Sequence, residues 1–333
     1  MEIYHKLRNN MISIWCDFIE RSFLQNEFKT LVREGKIQGA TSNPSIFAQA
    51  LKSESYKESI NELKQQGKEP KEIYESLAIE DIKTASEILM PLFLENPQNG
   101  LISIEIDPFL SNDINASIDE GVRLWHEINA KNVMIKVPAT QSGYTIMEHL
   151  MLRGINVNAT LVFTKEQSRR VLQAFQKANT QAQGVISVFV SRFDRVIDPQ
   201  LKDEKLCGKY GIANAIAIYK DFLSQKPQQN YRILFASTGV KEKNAIYNDE
   251  GYYVYPLAFE NCVNTLPLPT LHALQMQNLK APSMQQIASF DDLEIAASLE
   301  EMDINLVAIE EQLLQDGLKS FEQSFELMLD SLA

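Results

Sequence analysis

The chain has 333 residues, of which 44% are hydrophobic, and its 32 basic and 44 acidic residues give a net charge of −12. This charge argues against nucleic acid and anionic membrane surfaces as partners, so a phosphate ester substrate would need a local arginine or lysine site. Three widely spaced cysteines with no CxxC pair, and no apolar run of ~18 residues, predict a cytoplasmic protein without a disulfide framework.

Short apolar segments alternate with amphipathic helical segments along the chain. Residues 12–17 read as a strand, and the next helix ends near Gly35. Residues 39–43 form a second predicted strand, which Asn43-Pro44 turns into a helix, and 70–93 are also helical. Further predicted strands, separated by helical patterns, are 101–107, 133–139, 157–163, 185–192, 233–239 and 265–271.

Eight such units favour an α/β fold, a (β/α)₈ barrel, with a doubly wound open sheet as the alternative. The whole chain, 1–333, is predicted as one barrel domain. Residues 287–333 keep a helical period beyond the eighth unit and are expected to form additional C-terminal helices that cap the barrel.

Polar residues alternate with aliphatic ones along several predicted strands. Glu105 shares a face with Ser103, opposite Ile104, and Lys136 shares a face with Met134. Asp17 is opposite in parity to Cys16, so the aspartate can enter the barrel while the cysteine packs outside. The polar faces of these strands therefore point into a common interior near the carboxyl ends of the strands. Barrel enzymes have their active sites at this end. A half-solvated antiparallel sheet would also alternate, but the intervening helices disfavour it.

Lys136 lies within the apolar run Val133-Met-Ile-Lys-Val137. Desolvation favours the neutral form of an amine, and a neutral amine attacks carbonyl groups, so this position suggests Schiff-base chemistry on a sugar. An ammonium that reaches back to the surface is the structural alternative. No HxxxH, GxGxxG or P-loop motif occurs, so we expect neither a metal ion nor a cofactor.

Five segments, which follow one another in the same order along the chain, resemble those of the transaldolase family, and the resemblance covers roughly residues 12–330. They are Trp15-Cys-Asp17, Gly39-Ala-Thr-Ser-Asn43-Pro-Ser-Ile-Phe47, Asn132-Val-Met-Ile-Lys136-Val-Pro-Ala-Thr140, Asn158-Ala-Thr160-Leu-Val-Phe-Thr164 and Ser187-Val-Phe-Val-Ser-Arg192. The resemblance implies a class I, Schiff-base barrel of the pentose phosphate pathway. Such an enzyme moves a dihydroxyacetone unit from a ketose phosphate to an aldose phosphate.

By this resemblance Lys136 is the Schiff-base lysine, and Glu105 is the acid/base carboxylate that acts through a water held by Thr160. Asp17 would take the C4-hydroxyl proton as the C3–C4 bond breaks. Asn43, Asn158 and Ser187 would bind substrate hydroxyls. Arg192 would bind the phosphate, with Ser237 and Lys241 as further phosphate ligands. Ser191 and Val188 depart from common family residues, which puts in doubt only the local loop shape.

Each site residue also has a structural alternative. Glu105 could be a structural partner of Lys136, and Asp17 and Asn43 could be helix N-caps. Thr160 and Ser187 could be interior hydroxyls, and Arg192 and Lys241 could be solvated loop charges. Two functional alternatives also stay open: a related aldolase that releases free dihydroxyacetone, and a catalytically silent barrel that binds sugar phosphates or a protein partner. The sequence predicts no oligomeric state.

Overall fold

Eight parallel strands close into a barrel in which each strand pairs with its neighbours in chain order. The computed structural model describes residues 13–241, 246–259, 261–274, 295–296, 298–299 and 302–333. The strands are β1 (Ser13–Cys16), β2 (Gly39–Thr41), β3 (Leu101–Glu105), β4 (Val133–Pro138), β5 (Asn156–Val162), β6 (Gly184–Phe189), β7 (Tyr231–Ala236) and β8 (Val263–Leu266). The predicted (β/α)₈ barrel is confirmed, and the open-sheet and antiparallel alternatives are wrong.

Helices connect the strands on the outside of the barrel. The first consists of Arg21–Phe23, a π-helical turn at Leu24–Phe28, and Lys29–Arg33. The other helices are Pro44–Ala50, Glu54–Gln65, Pro70–Glu95, Ile114–Ile128, Gln141–Leu152, Lys165–Ala178, Ser191–Ile197, Tyr210–Ser224, Leu268–Leu274 and Leu306–Leu332. Single 3₁₀ turns lie at Pro108–Leu110, Asp198–Gln200, Glu204–Leu206 and Tyr255–Leu257. Within these described segments, no helix is both long and apolar enough to cross a membrane.

Side-chain caps fix the points at which the chain leaves several strands and enters helices. Asn43 Oδ1 accepts a hydrogen bond from Ile46 N at 3.0 Å, and Pro44 occupies the first helical turn. Thr140 and Thr164 cap the helices after β4 and β5 in the same way. These caps satisfy amide groups that the first turn leaves unpaired, and they hold the carboxyl ends of the strands at one end of the barrel.

Successive strand residues pack alternately inside the barrel and in the layer between strands and helices, as the strand parity predicts. Trp15 and Met134 belong to a cluster inside the barrel, whereas Ile14 and Cys16 belong to the layer between strands and helices. Gly39 faces Trp15 across β2 and β1, and a Cβ built on it would lie 2.6 Å from the indole ring. A larger residue at position 39 would therefore displace the tryptophan that fills the barrel interior.

Two predicted strands extend too far. The segment predicted as a strand over 185–192 leaves the sheet at Phe189, and Ser191–Ile197 is a helix that carries Arg192 in its first turn. The strand predicted over 265–271 ends at Leu266, and Leu268–Leu274 is helical. Both errors have one cause. Apolar residues continue across the junction, so hydrophobicity alone gives no boundary there.

Leu161 also departs from the predicted parity. Its φ is +57°, and the pairing of β5 with β6 shifts register between Ala159 and Val162. This bulge turns Leu161 away from the outer layer and into the interior cluster that contains Met134. Regular alternation from Thr160, whose side chain lines the cavity, would place Leu161 on the helix-facing side.

The C-terminal helix Leu306–Leu332 packs against the first helix after β2 and against Pro70–Glu95. Ser45 Oγ and Ser324 Oγ are 2.7 Å apart, and the rings of Tyr74 and Phe325 meet edge to face at 5.3 Å. This part of the predicted extension is helical. Most of residues 287–301 lie outside the described residues.

Candidate active site

A cavity of about 410 Å³ opens at the carboxyl ends of the barrel strands. Eight of the ten predicted site residues line it: Asp17, Asn43, Lys136, Thr160, Ser187, Arg192, Ser237 and Lys241. The other two, Glu105 and Asn158, lie buried against this lining. Residues from seven of the eight strands or their exits thus converge on one place, as expected for a barrel enzyme.

Lys136 and Glu105 form a buried pair on neighbouring strands. Their Cα atoms are register partners on β4 and β3, and Lys136 Nζ lies 3.5 Å from Glu105 Oε2. The two side chains are only 7% and 5% exposed. Nζ also donates a hydrogen bond to the carbonyl oxygen of Ser42 at 3.1 Å. The amine therefore does not reach back to the surface, and the snorkelling alternative is wrong.

Burial raises the pKa of Glu105 to about 7; nearby Lys136 opposes the shift, and Asp17 adds to it. A carboxyl group with this pKa can give and take a proton near neutral pH, as a general acid or base requires. Within the described part of the chain, neither oxygen of Glu105 accepts a hydrogen bond, and buried Thr160 Oγ1 also has no partner. Buried polar atoms are usually paired, so these three atoms suit a bound polar reactant or water.

Asp17 follows β1 directly and points into the cavity. Thr41 Oγ1 donates a hydrogen bond to Asp17 Oδ1 at 2.5 Å and lies 2.7 Å from Thr265 Oγ1. Burial raises the pKa of Asp17, while Lys136 and the Thr41 hydroxyl counter the shift. Asp17 is not a helix N-cap, because Glu20 takes that position for the following helix.

A chain of hydrogen bonds links the polar floor of the site. Ser187 Oγ donates to Asn158 Oδ1 at 2.6 Å, and Asn158 Nδ2 donates to Ser103 Oγ at 3.2 Å. Asn158 is also the register partner of Lys136 across β5 and β4. These contacts fix the orientation of the Asn158 amide, and Ser187 itself lines the cavity. Asn43 lines the same cavity while it caps its helix, so both of its proposed roles are compatible.

Three cations, Arg192, Arg195 and Lys241, line one side of the cavity, and we call them the cationic rim. The positive charge of Arg195 is the main cause that lowers the pKa of Lys241, and burial together with Arg195 lowers the pKa of Arg192. Mutual repulsion of this kind is relieved when an anion binds between the cations. The Arg192 guanidinium lies 5.0 Å from the Phe189 ring, which supports its position.

Ser237 stands beside the cationic rim in an unusual backbone conformation, with φ of +55°. Arg195 Nη2 donates a hydrogen bond to Ser237 Oγ at 3.2 Å, and Ser191 Oγ lies 3.0 Å from the same atom. Non-glycine residues with positive φ are uncommon and concentrate at functional sites. Ser191, whose departure from the family pattern raised doubt about the loop, thus helps to hold Ser237.

Residues 14–332 match the model of the family described as Transaldolase/Fructose-6-phosphate aldolase. The chain belongs to this transaldolase/fructose-6-phosphate aldolase family. It is 46% identical over 323 residues to "Transaldolase" of Helicobacter pylori (strain Shi470), a match that covers 96% of this chain and 98% of the relative. It is 44% identical over 338 residues to "Transaldolase" of Campylobacter jejuni subsp. jejuni serotype O:23/36 (strain 81-176), covering 96% and 99%.

Among the cavity-lining residues that were not predicted from the sequence, Arg195 and Phe321 bear most directly on the chemistry of this candidate site. Arg195 follows Arg192 by three positions, which places both on one face of a helix, but the predicted strand ran to Arg192 and so hid the helical spacing. Phe321 lies on the C-terminal helix. Its ring centroid is 5.5 Å from Lys136 Nζ. The helical period of that segment was visible, but sequence alone does not say which end of the barrel it covers. In the described ranges, no cluster of three metal-ligating side chains occurs.

Proposed function

We propose that the protein is a transaldolase that works through a Schiff base on Lys136. The donor is a ketose phosphate, sedoheptulose 7-phosphate or fructose 6-phosphate, and the acceptor is an aldose phosphate, glyceraldehyde 3-phosphate or erythrose 4-phosphate. The supporting observation is a buried amine 3.5 Å from a carboxylate, on the floor of a cavity that also holds a cationic rim. The relatives named transaldolase, which match nearly the whole chain, support the same reaction.

In the first step the Lys136 amine attacks the ketose carbonyl, and the carbinolamine then loses water to give a protonated imine. Glu105, with its pKa near 7, supplies the proton that the departing hydroxyl needs. We assign Thr160 the role of holding the water that relays this proton. Its buried hydroxyl lines the cavity and has no hydrogen-bond partner in the described residues.

In the second step Asp17 takes the proton from the C4 hydroxyl, and the C3–C4 bond breaks. The bonding electrons move into the protonated imine, which becomes an enamine, and the aldose phosphate leaves. The raised pKa of Asp17 makes it a stronger base than an ordinary aspartate. The enamine carbon then adds to a second aldehyde, whose oxygen takes the proton back from Asp17. One water molecule hydrolyses the new imine, which releases the product ketose phosphate and the free Lys136 amine.

The substrate is held at both ends in this proposal. Ser187, Asn158 and Asn43 bind the hydroxyl groups near the reacting carbons, because they lie around Lys136. Arg192, Ser237 and Lys241 bind the phosphate at the other side of the cavity, where the charge is positive. Long-range attraction does not favour an anionic substrate for a chain of net charge −12, so this local rim is what admits the phosphate.

A lyase that releases free dihydroxyacetone is the second candidate, since the family description names both activities. The deciding assay supplies fructose 6-phosphate with or without erythrose 4-phosphate and follows glyceraldehyde 3-phosphate. A transferase needs the acceptor for sustained turnover. Rapid sustained release without an acceptor would favour the lyase. A silent binding barrel would give neither.

We further propose that the protein works in the cytoplasm and does not bind nucleic acid. The widely spaced cysteines, Cys16, Cys207 and Cys262, fit a reducing compartment, and the acidic charge fits the second statement. Fractionation of cells that produce the protein, followed by immunodetection, tests its location.

A further inference from the structure

The C-terminal helix approaches the active site closely at Gly317. A Cβ built on Gly317 would lie 2.7 Å from Leu161 Cδ2 and 3.3 Å from Arg192 Nη1. Leu161 is the residue that the bulge in β5 turns inward, so a strained strand residue and a helical glycine meet at the mouth of the barrel. Any larger residue at position 317 would push the helix away from the site.

Phe321 follows Gly317 by one helical turn and therefore lies on the same face of the helix. Its side chain lines the catalytic cavity and is only 6% exposed, and its ring centroid lies 5.5 Å from Lys136 Nζ. The proposed reaction gives this ring no proton to move and no substrate group to bind. The proposed steps therefore do not explain why an aromatic ring lies over the reacting nitrogen.

We propose that Phe321 decides the fate of the enamine by keeping water away from C3, the enamine carbon nearest to the imine carbon, so that the three-carbon unit waits for an acceptor aldehyde. This inference rests on the proposed transaldolase function and adds the residue that separates transfer from release. An apolar ring over the imine lowers the local concentration of water without blocking the phosphate side of the cavity.

Release without transfer requires two events at atoms near this ring. A proton must add to C3 of the enamine, which restores the imine, and one water molecule must then add to the imine carbon. The resulting carbinolamine breaks its C–N bond to give dihydroxyacetone and the free Lys136 amine. Hydrolysis is common to both outcomes, because the imine left after transfer is also broken by the addition of one water molecule. The proton on C3 is needed for release alone, and water is its donor in this proposal. Release therefore slows when Phe321 covers the site, whereas attack of the enamine on an aldehyde needs no proton at C3.

The ring face also lies within the range of a cation–π contact with the charged nitrogen. Such a contact stabilises the protonated imine, and Leu would supply the apolar cover without it. Phe321→Leu and Phe321→Ala therefore separate shielding from the cation–π contact, because only the alanine variant opens the cavity to water.

The test measures the partition between release and transfer. Each enzyme receives fructose 6-phosphate alone, and the steady rate of glyceraldehyde 3-phosphate formation after the first turnover reports release. The rate with erythrose 4-phosphate reports transfer. We expect Phe321→Ala to raise the ratio of release to transfer by roughly tenfold, and Phe321→Leu to change it by less than about threefold.

Leu313→Ala is the matched control, since Leu313 is buried on the same helix but does not line the cavity. An unchanged ratio in Phe321→Ala, or an equal rise in Leu313→Ala at the same loss of thermal stability, would overturn the assignment to Phe321. Borohydride reduction of each variant with substrate is run in parallel. A missing Lys136 adduct in the parent enzyme contradicts the proposed function itself, whereas an intact adduct with an unchanged ratio contradicts only the role of Phe321.

Discussion

Lys136 and Glu105 are register partners on adjacent parallel strands, and Lys136 Nζ lies 3.5 Å from Glu105 Oε2 inside the barrel. A slip of one residue in either strand would send one of the two side chains to the helix-facing layer. The pairing of β3 with β4 therefore sets the chemistry as well as the fold. Through the ionisation of Glu105, the free energy of unfolding also depends on pH.

Glu105 has a folded-state pKa of about 7, above its ordinary value of 4.5, so folding favours its protonated form. Ionisation consequently costs stability as the pH rises from about 4.5 to 7, and the full penalty remains above pH 7. We expect Glu105→Gln to gain stability over the parent by on the order of 2 kcal/mol more at pH 8 than at pH 5. Urea unfolding at both pH values measures this.

Glu58→Gln, at an exposed position on the helix Glu54–Gln65, is the control for the loss of one carboxylate. It should show no pH-dependent gain of that size. Equal gains at pH 5 and pH 8 for Glu105→Gln would mean that Glu105 is ionised in the same way in the folded and unfolded states.

Asp17→Asn separates the two halves of the proposed reaction. The amide cannot take the C4-hydroxyl proton, so we expect C–C cleavage to stop while the imine still forms. Borohydride reduction with fructose 6-phosphate should then leave the whole six-carbon substrate on Lys136, as seen by mass spectrometry. A three-carbon adduct in this variant would show that another group acts as the base.

Arg192→Ala should mainly raise KM, because the arginine binds a phosphate that stays remote from the reacting bond. The loss of a charge-assisted hydrogen-bond pair predicts a rise of roughly 10- to 100-fold. Arg195→Ala should act in the same direction, since Arg195 adds a positive charge to the cationic rim and donates a hydrogen bond to Ser237. Steady-state kinetics with fructose 6-phosphate measures both.

Arg169→Ala is the matched control for this pair. Arg169 forms an ion pair with Asp221 at 2.6 Å on the outer helices and does not line the cavity. Removal of Arg169 changes the net charge by the same amount as removal of Arg192 but should leave KM unchanged. A large fall in kcat at constant KM for Arg192→Ala would contradict a phosphate-binding role.

Thr160→Val should slow formation of the imine, because valine keeps the shape of threonine but cannot hold a water. Thr160→Ser retains the hydroxyl and should recover most of the activity. The rate of borohydride trapping in a rapid-quench experiment reports this step directly. Equal rates in the valine and serine variants would remove Thr160 from the proton relay.

The sequence was sufficient for the barrel, and strand parity indicated which strand side chains point inward. The site residues at the strand exits, Asn43, Arg192, Ser237 and Lys241, were expected only from the resemblance to the transaldolase family. Lys136 with Met134, and Asp17 opposite Cys16, follow from alternation alone. The cap at Asn43 was also a local signal, since it satisfies an amide within its own first turn. Thr140 and Thr164 cap their helices in the same way but were not predicted from the sequence.

The remaining features depend on contacts that are distant in the chain. The inward turn of Leu161 needs the bulge in β5 and the glycine of a helix more than 150 residues later. Phe321 reaches Lys136 only because that helix docks over the barrel mouth, and its docking is set by tertiary packing. The helical start at Ser191 was hidden by apolar residues on both sides of the junction.

The central claim is that the Lys136 amine forms the covalent intermediate, and borohydride trapping with peptide mapping tests it most directly. With fructose 6-phosphate we expect one reduced adduct, on Lys136, in the parent enzyme, and none in Lys136→Ala, whose activity should fall by roughly 10⁴-fold or more. An adduct on another lysine, or full activity in Lys136→Ala, would contradict the account.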